Sequence, residues 1–492
     1  MKYVSTRGGE PVSGLEAVCR GISRSGGLFV PQSPPEPLSL PSLAGLSLGR
    51  VMAVFLHRFL PDLPLEIWET AVSEAFESLA GNDRTWQLPL SKLNDYLDSY
   101  FLLNADHLPT GNLADLSHAL LAKLWPYMPA ADRQPFVLTL LPEDSLVSFL
   151  NQAWGLPGII LMAAGGSRGR EIAGLAPDGV AIRVFEGSYD GRYRELTRLA
   201  SHPSFEKKLN DKGFDPLFLG PGHLLEVLTA GALATAVVVA IAESSDLDRG
   251  VDFAVPKSHL GFVAGLVCAS ILRVPVGTVY VGESEPPSLT TLFRTGKPAG
   301  PVKNRRAAAD GTDFPVNLER LFYEVTGRDG NRTDFLCQQI ARPGERLLTG
   351  EEINLLNQSI LVSACDYKYC LRLIKTVYDQ TDYLVGRDTA DAVACWAKYA
   401  DRKAGSVICY VQERSPLLDA VLCGRALFGR EAGKEDILIK VSQETGVPVW
   451  PSLARLPEDG QACDWPALTG SIEEAVDILL DSQDPVRQGG IL

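Results

Sequence analysis

The chain changes its hydrophobic rhythm near residue 100. Before it, LEAVCRGI, GRVMAVFLHRFLP and PLEIWETAVSEAFESLA repeat apolar residues three and four apart, the period of a helix buried along one face. The proline-rich PQSPPEPLSLPSL between them reads as an extended connector. These signals predict a mainly helical first domain over residues 1–100. Beyond it, short apolar runs alternate with helix-length segments: YFLLN, a helix over 112–125, FVLTLL at 136–141, a helix after Asp144, then GIILMAAGG, VAIRVFEG, VDFAVP and GTVYVGE. Uninterrupted Val, Ile and Leu runs suit strands covered on both faces, as in the parallel sheets of βαβ units. The expected fold class is α/β, with doubly wound sheets over residues 101–492 arranged as a core of two interleaved subdomains. Such sheets bind ligands in a crevice at the carboxyl ends of their strands. Residues 330–380 read as a mostly helical insertion, and GSVICYVQE returns to a strand.

Composition narrows the classes. At 492 residues, 46% apolar and 22% charged, the chain exceeds what one core organises, so two or three packed units are expected. Sixty acidic against forty-six basic residues give a formal charge of −14 with no basic run interleaved with aromatics, so no nucleic-acid partner is expected. The apolar run VLTAGALATAVVVAIA at 227–242 lies between Glu226 and Glu243 and falls short of the ~20 residues of a membrane span, which makes it a buried helix and implies no membrane partner. Nine cysteines without a CxxC pair, set in apolar runs such as GLVCASIL, read as reduced buried thiols. Together with an N-terminus that lacks the apolar core of a signal peptide, they point to a cytoplasmic location.

Familiar catalytic signatures are missing. The six histidines at 57, 107, 118, 202, 223 and 259 form no HExxH pair, there is no GxSxG or Walker loop, and GGSRGRE at 165–171 lacks dinucleotide spacing. Cys365 and Cys370 are five apart, which reads as one helical face rather than zinc spacing, so no metal is expected.

An ordered set of longer segments carries more. YVSTRGG at the start, SGGLFVP at 25–31, VFEGSYD at 184–190, FAVP through AGLVCA at 253–269, LFRTGKP at 292–298 and NLERLFYEVTGRD at 317–329 together resemble the threonine synthase family. That resemblance implies the fold-type II architecture and a lyase of amino-acid biosynthesis that uses pyridoxal phosphate to convert O-phosphohomoserine to threonine. Such chemistry needs a lysine to carry the aldimine, backbone donors for two phosphates and a partner for the pyridine nitrogen.

Measured against the family's pattern, each of those needs meets a substitution. The lysine segment, His-Gly-Pro-Thr followed by Leu-Ala-Phe-Lys-Asp, reads here His107, Leu108, Pro109, Thr110, Gly111, Asn112, Leu113, Ala114, Asp115. The cofactor pocket would keep His107, Thr110 and Asp115 but hold Ala114 where the lysine belongs. Lys123 lies about 13 Å further along a helix, beyond a side chain's reach, which leaves Lys257 as the one candidate substitute. The loop Ser-Gly-Asp-Thr-Gly has become Pro142, Glu143, Asp144, Ser145, Leu146, where Asp144 and Ser145 are expected to cap a helix. Gly-Asn-Phe-Gly has become Ser258, His259, Leu260, Gly261. Lys257, Ser258 and His259 form either a side-chain anion loop or a plain turn with a capping serine. In the substrate pocket, Asn-Ser-Ile-Asn and a following arginine are replaced by Gly220, Pro221, Gly222, His223 and Glu226. Pro-His-Thr-Ala is replaced by Arg387, Asp388, Thr389, Ala390, and the pyridine-nitrogen segment falls on Gln412 to Pro416 with register open by one.

Three readings follow. The first is a threonine synthase-like pseudoenzyme with no catalytic residue and no covalent pyridoxal phosphate. It would bind an unknown small molecule or a protein partner, a true threonine synthase being one candidate. The second is new cofactor-independent chemistry built on His107, Asp144, His259 and Asp388. The third is a divergent lyase that still uses pyridoxal phosphate, through Lys257 or without a covalent link.

Overall fold

The computed structural model describes residues 1–482 apart from 81–88, 94–98, 129–132, 153–155, 164–171, 173–174, 176–178, 187–188, 246, 248, 300–314, 341, 343, 400–406, 430–436, 451–466 and 469. The glycine-containing run at 165–171 therefore lies outside the described residues.

Three sheets organise the chain. The first is a small antiparallel sheet in which β1 (Lys2–Ser5) lies between β2 (Val12–Ser13) and β3 (Phe29–Pro31). Helical periodicity gave no sign of it, because strands of two to four residues are too short to show alternation. The helices Leu48–Phe59 and Leu65–Ala80 follow, where the apolar spacing placed them.

The largest sheet has six strands in the order β12 (Ile360–Cys365), β11 (Val276–Ser284), β10 (Val251–Pro256), β13 (Val407–Gln412), β5 (Tyr100–Asn104) and β4 (Leu90–Lys92). All neighbours run parallel except the edge pair β4 and β5. Successive residues face opposite cores: Leu103, Phe253, Val255, Val281 and Val411 face one, and Leu102, Ala254, Tyr280 and Tyr410 face the other. This two-sided burial is why the strands read as continuous apolar runs. The third sheet is fully parallel, in the order β8 (Val180–Phe185), β7 (Gly158–Ala163), β6 (Gln134–Thr139) and β9 (Phe214–Leu219). The stretch 330–380 does contain helices, but Ile360–Cys365 is an edge strand of the large sheet, with Val281 opposite Val362.

The most apolar helix, Leu224–Ala242, is long enough to cross a membrane, yet 89% of its apolar window is buried inside the protein. Small residues explain the fit. A Cβ on Gly231 would meet the Gly265 carbonyl at 2.8 Å, and one on Gly265 would meet the Gly231 nitrogen at 2.6 Å. Only glycine lets helix Leu260–Ile271 approach this closely.

One joint ties the N-terminal sheet to the end of the four-stranded sheet. Arg320, buried in helix Leu318–Val325, donates to the Phe29 carbonyl at 3.1 Å, to the Gly222 carbonyl at 2.9 Å and to the Asn317 side chain. Its neighbour Glu319 accepts from Thr6 and pairs with Arg7 at 2.6 Å. YVSTRGG, SGGLFVP and NLERLFYEVTGRD, which stand out along the sequence, are thus one contact in space. Removing the Arg320 guanidinium leaves buried carbonyls without donors. We expect Arg320→Leu to lower the unfolding free energy by about 3 kcal/mol or more, read as a fall in the urea midpoint. A midpoint unchanged within error would show that the joint is dispensable.

Candidate functional site

The carboxyl ends of the strands in the two parallel sheets open onto one crevice. Its walls are the segment 105–113 after β5, the turn after β6, residues 220–223 after β9, residues 257–259 after β10 and residues 413–415 after β13.

Two of these segments are strapped to each other. Leu113 N donates to the Glu413 carbonyl at 2.9 Å and Ser415 N to the Gly111 carbonyl at 2.7 Å, while Asn112 and Arg414 form an antiparallel bridge. Gly111 has φ +67°, and a Cβ there would meet the Trp450 ring at 2.8 Å, so the turn requires glycine. Thr110 donates through its backbone and its hydroxyl to the fully buried Asp115, at 2.9 and 2.8 Å. Thr110 and Asp115 thus close the turn on each other. Ala114 begins helix Ala114–Leu124 as a buried methyl. His107 is exposed, and its ring makes no hydrogen bond with a described residue.

The strap aims Glu413 and Arg414 into the crevice. The Arg414 guanidinium reaches Asp144 at 2.7 Å, Asp419 at 3.4 Å and Asp388 at 3.6 Å. Glu413 holds His259 Nδ1 at 2.8 Å and accepts from the Ser258 hydroxyl at 3.3 Å, which also donates to Asp388 at 3.2 Å. Asp144, Ser258, His259 and Asp388 are therefore brought together, and Thr389 is buried beside them in helix Arg387–Tyr399.

Capping is where the sequence expectation fails. Helix Glu143–Asn151 starts after Pro142 with no side-chain cap, because Asp144 is drawn to Arg414; Ser145 is buried in its first turn. Ser258 caps nothing either, since its hydroxyl serves Asp388 and Glu413. Cys365 and Cys370 do not share a helical face: the first ends β12, the second lies in helix Tyr367–Thr381, and both thiols flank the buried carboxyl of Asp391.

Lys257 leaves the group. Its ammonium pairs with buried Glu283 at 3.2 Å and bonds the Ser288 hydroxyl. Burial alone would push the Glu283 carboxyl up, but Lys257 and the N–H groups of Leu289 and Thr290 hold it below its ordinary value. The lysine is spent on a structural carboxylate at the start of helix Leu289–Thr295.

Glu226 behaves in the opposite way. Burial first, then repulsion from Glu413, push its carboxyl up to about 8, with Arg320 opposing. It is neutral at pH 7. Gly261 faces it: a Cβ on Gly261 would lie 4.0 Å from Glu226 Oε1 and 3.2 Å from Asn317 Nδ2. His223, buried one turn earlier, donates Nε2 to the Val18 carbonyl at 2.9 Å, and Gly220 ends β9 beside it.

Several residues of this site escaped the sequence reading. Arg414 and Glu413 lie in the stretch whose register was open, and Glu283 follows a strand without any motif around it. Asp106, pushed up to about 7 by burial against hydrogen bonds from Ser415 and Gln412, sits beside His107 and was passed over. His118, one helical turn after Ala114, carried the one available signal.

Residues 2–76 match the family model described as threonine synthase N terminus. Over 438 residues the chain is 21% identical to threonine synthase-like 1 of Homo sapiens, and over 435 residues 22% identical to that of Mus musculus. These alignments cover 83% of this chain and 57% of the relatives, so it spans little more than half their length. Among solved structures, threonine synthase from Brucella melitensis with bound pyridoxal phosphate has a TM-score of 0.72 at 19% identity, covering 90% of this chain and 94% of that one. The Escherichia coli enzyme has a TM-score of 0.68 at 15% identity, covering 92% and 96%. At such identities the likeness is one of fold.

Two stability experiments probe the charges. Arg414→Ala strands Asp144, Asp388 and Asp419 near one another and should cost about 2 kcal/mol at pH 7. Salt screens that repulsion, so the deficit should shrink when sodium chloride is raised from about 0.05 M to about 1 M; a deficit independent of salt would mean the guanidinium acts only by packing. A carboxyl whose pKa rises on folding gives its full stability below the unfolded value, near 4.5 for Glu226, and loses it as pH climbs toward about 8. Glu226→Gln should accordingly be as stable as the parent at pH 4 and more stable at pH 8 by up to about 4 kcal/mol, measured by urea titration at both values.

Proposed function

We propose that this chain, which has the fold of the threonine synthases and resembles them in sequence, is a threonine synthase-like protein that has left that family's reaction and serves as a binding or regulatory protein. The observation that supports this most is the sign of the charge in the crevice. Asp144, Asp388 and Asp419 share the Arg414 guanidinium, and Glu413 beside it engages His259, so acids outnumber the lysine and arginine side chains among the described groups of this cluster. A phosphate oxygen 4 Å from one of these carboxylates would meet roughly 4 kcal/mol of repulsion per unit charge at an effective dielectric of about 20.

The residues present do not fit pyridoxal phosphate. Ala114 has no amine, Lys257 is held by Glu283, and the turn after β6 offers Pro142, which has no N–H, followed by two acids. The partner is then a small molecule other than a phosphate ester, or a protein. A true threonine synthase remains the candidate protein.

Glu226 gives the second reading its footing. A neutral carboxyl beside an ionisable Glu413–His259 pair places an acid and a base in one crevice, as proton-transfer sites do. His107 is exposed and makes no hydrogen bond with these groups.

Incubation with pyridoxal phosphate, an absorbance spectrum, borohydride reduction and mass mapping test the main reading. We expect no internal-aldimine band and no labelled lysine, and no phosphate release from O-phosphohomoserine by Ala114→Lys. A label on Lys257, or phosphate release by that variant, would overturn it.

A further inference from the structure

Below Glu226 a cavity of about 10 Å³ lies between the ends of β6 and β9, marked by Leu141 and Gly220, and the first turns of two helices, which supply Ser117, His118, His223 and Glu226. That is room for about one water. His118 and His223 are each 6% exposed. Each uses one ring nitrogen on the protein: His118 Nδ1 meets the Ser148 hydroxyl at 2.9 Å, and His223 Nε2 meets the Val18 carbonyl at 2.9 Å. The remaining nitrogens, His118 Nε2 and His223 Nδ1, and the Glu226 carboxyl have no hydrogen-bond partner among the described residues.

The roles of these groups can be assigned. A carbonyl only accepts, so His223 Nε2 carries the proton and Nδ1 presents a lone pair to the cavity. Burial pushes His223 down to about 4 and His118 down to about 3, so both rings are neutral at pH 7. Glu226, raised by burial and by Glu413, still carries its proton and can donate it in a hydrogen bond. The cavity thus offers an acceptor at His223 Nδ1, a donor and a carbonyl oxygen on the neutral Glu226 carboxyl, and His118 Nε2, whose role follows the tautomer set at Ser148, with no net charge, at the position where the family's substrate-phosphate arginine is replaced by an acid.

We propose that this cavity is a binding subsite for the hydroxyl end of a small uncharged ligand, which donates to His223 Nδ1 and accepts from Glu226, and that it rejects anionic ends. The proposal rests on the reading of the crevice as a ligand site without pyridoxal phosphate. Buried polar groups left unpaired are costly, and a water-sized hydroxyl satisfies both partners at once. A carboxylate has no proton for His223 Nδ1, and any anion meets the same Glu413 charge that raises the Glu226 carboxyl. An ammonium can donate to His223 Nδ1 and to the Glu226 carbonyl oxygen, but it brings a charge into a site buried from water, which costs more than a neutral hydroxyl.

Saturation-transfer NMR on the full chain at pH 6.5, with methanol, formate and methylammonium as probes of similar size, tests the subsite. Methanol should bind saturably and at least ten-fold more tightly than either ion. Glu226 faces Glu413, Arg320, His118 and His223, and its ionisation should weaken methanol binding about ten-fold between pH 6.5 and 9. Glu226→Gln, which keeps a donor at every pH, should bind methanol with no such fall. Equal or tighter binding of formate or methylammonium, no saturable methanol binding, or a pH dependence that persists in Glu226→Gln would overturn the proposal. Methanol failure with no borohydride-labelled lysine would sink the subsite alone, whereas a labelled lysine would remove the reading beneath it.

Discussion

Everything around the crevice hangs on one buried cation. Arg320 places its donors on the Phe29 carbonyl of the N-terminal sheet, the Gly222 carbonyl at the end of β9 and the side chain of Asn317. A guanidinium this deep would be prohibitive without such partners, and with them it becomes a rigid three-way clamp. The turn at 220–223 is held from below by it, and that turn sets where His223 and Glu226 stand. Glu319, next in the chain, fixes Arg7 and Thr6 and so closes the N-terminal sheet on the same point. The field of Arg320 also limits how far the Glu226 carboxyl rises.

Charge in the crevice is arranged around a second guanidinium. Arg414 answers Asp144 from the four-stranded side and Asp388 and Asp419 from the six-stranded side, so both walls share one cation. Glu413, on the strap beside it, instead engages His259 and Ser258. Acidic groups thus stand where the resemblance would place anion donors, and they are satisfied by the protein itself. Lys257 follows the same logic, being matched to Glu283.

The sequence disclosed the frame better than the site, for physical reasons. Two-sided burial writes itself as apolar runs, and β5, β6, β10 and β13 stood out for that cause. The edge strand β12 was absorbed into a helical stretch because its neighbours on both sides are helices, and the N-terminal strands are too short to register. In the site, the replacement of a lysine by Ala114 is visible in the letters alone. What took over was not visible, because side-chain partners depend on distance. Asp144 and Ser258 carry the residue types of helix caps, and tertiary ion pairing overrides that local preference.

The position of β5 has a consequence for how the protein is made. β5 lies between β4 and β13, and its parallel partner β13 begins at residue 407, some three hundred residues later in the chain. Until that strand emerges from the ribosome, Leu102 and Leu103 have a bare edge on one side. Segment 105–113 has no Glu413 or Ser415 to hold it. The N-terminal sheet can close on the middle of the chain much earlier, through Arg320. Synthesis therefore passes through a stage in which the outer clamp is set while the crevice has only one wall, and long-range parallel pairing is slow to form. Chaperone demand should accordingly concentrate on chains stalled between those two events.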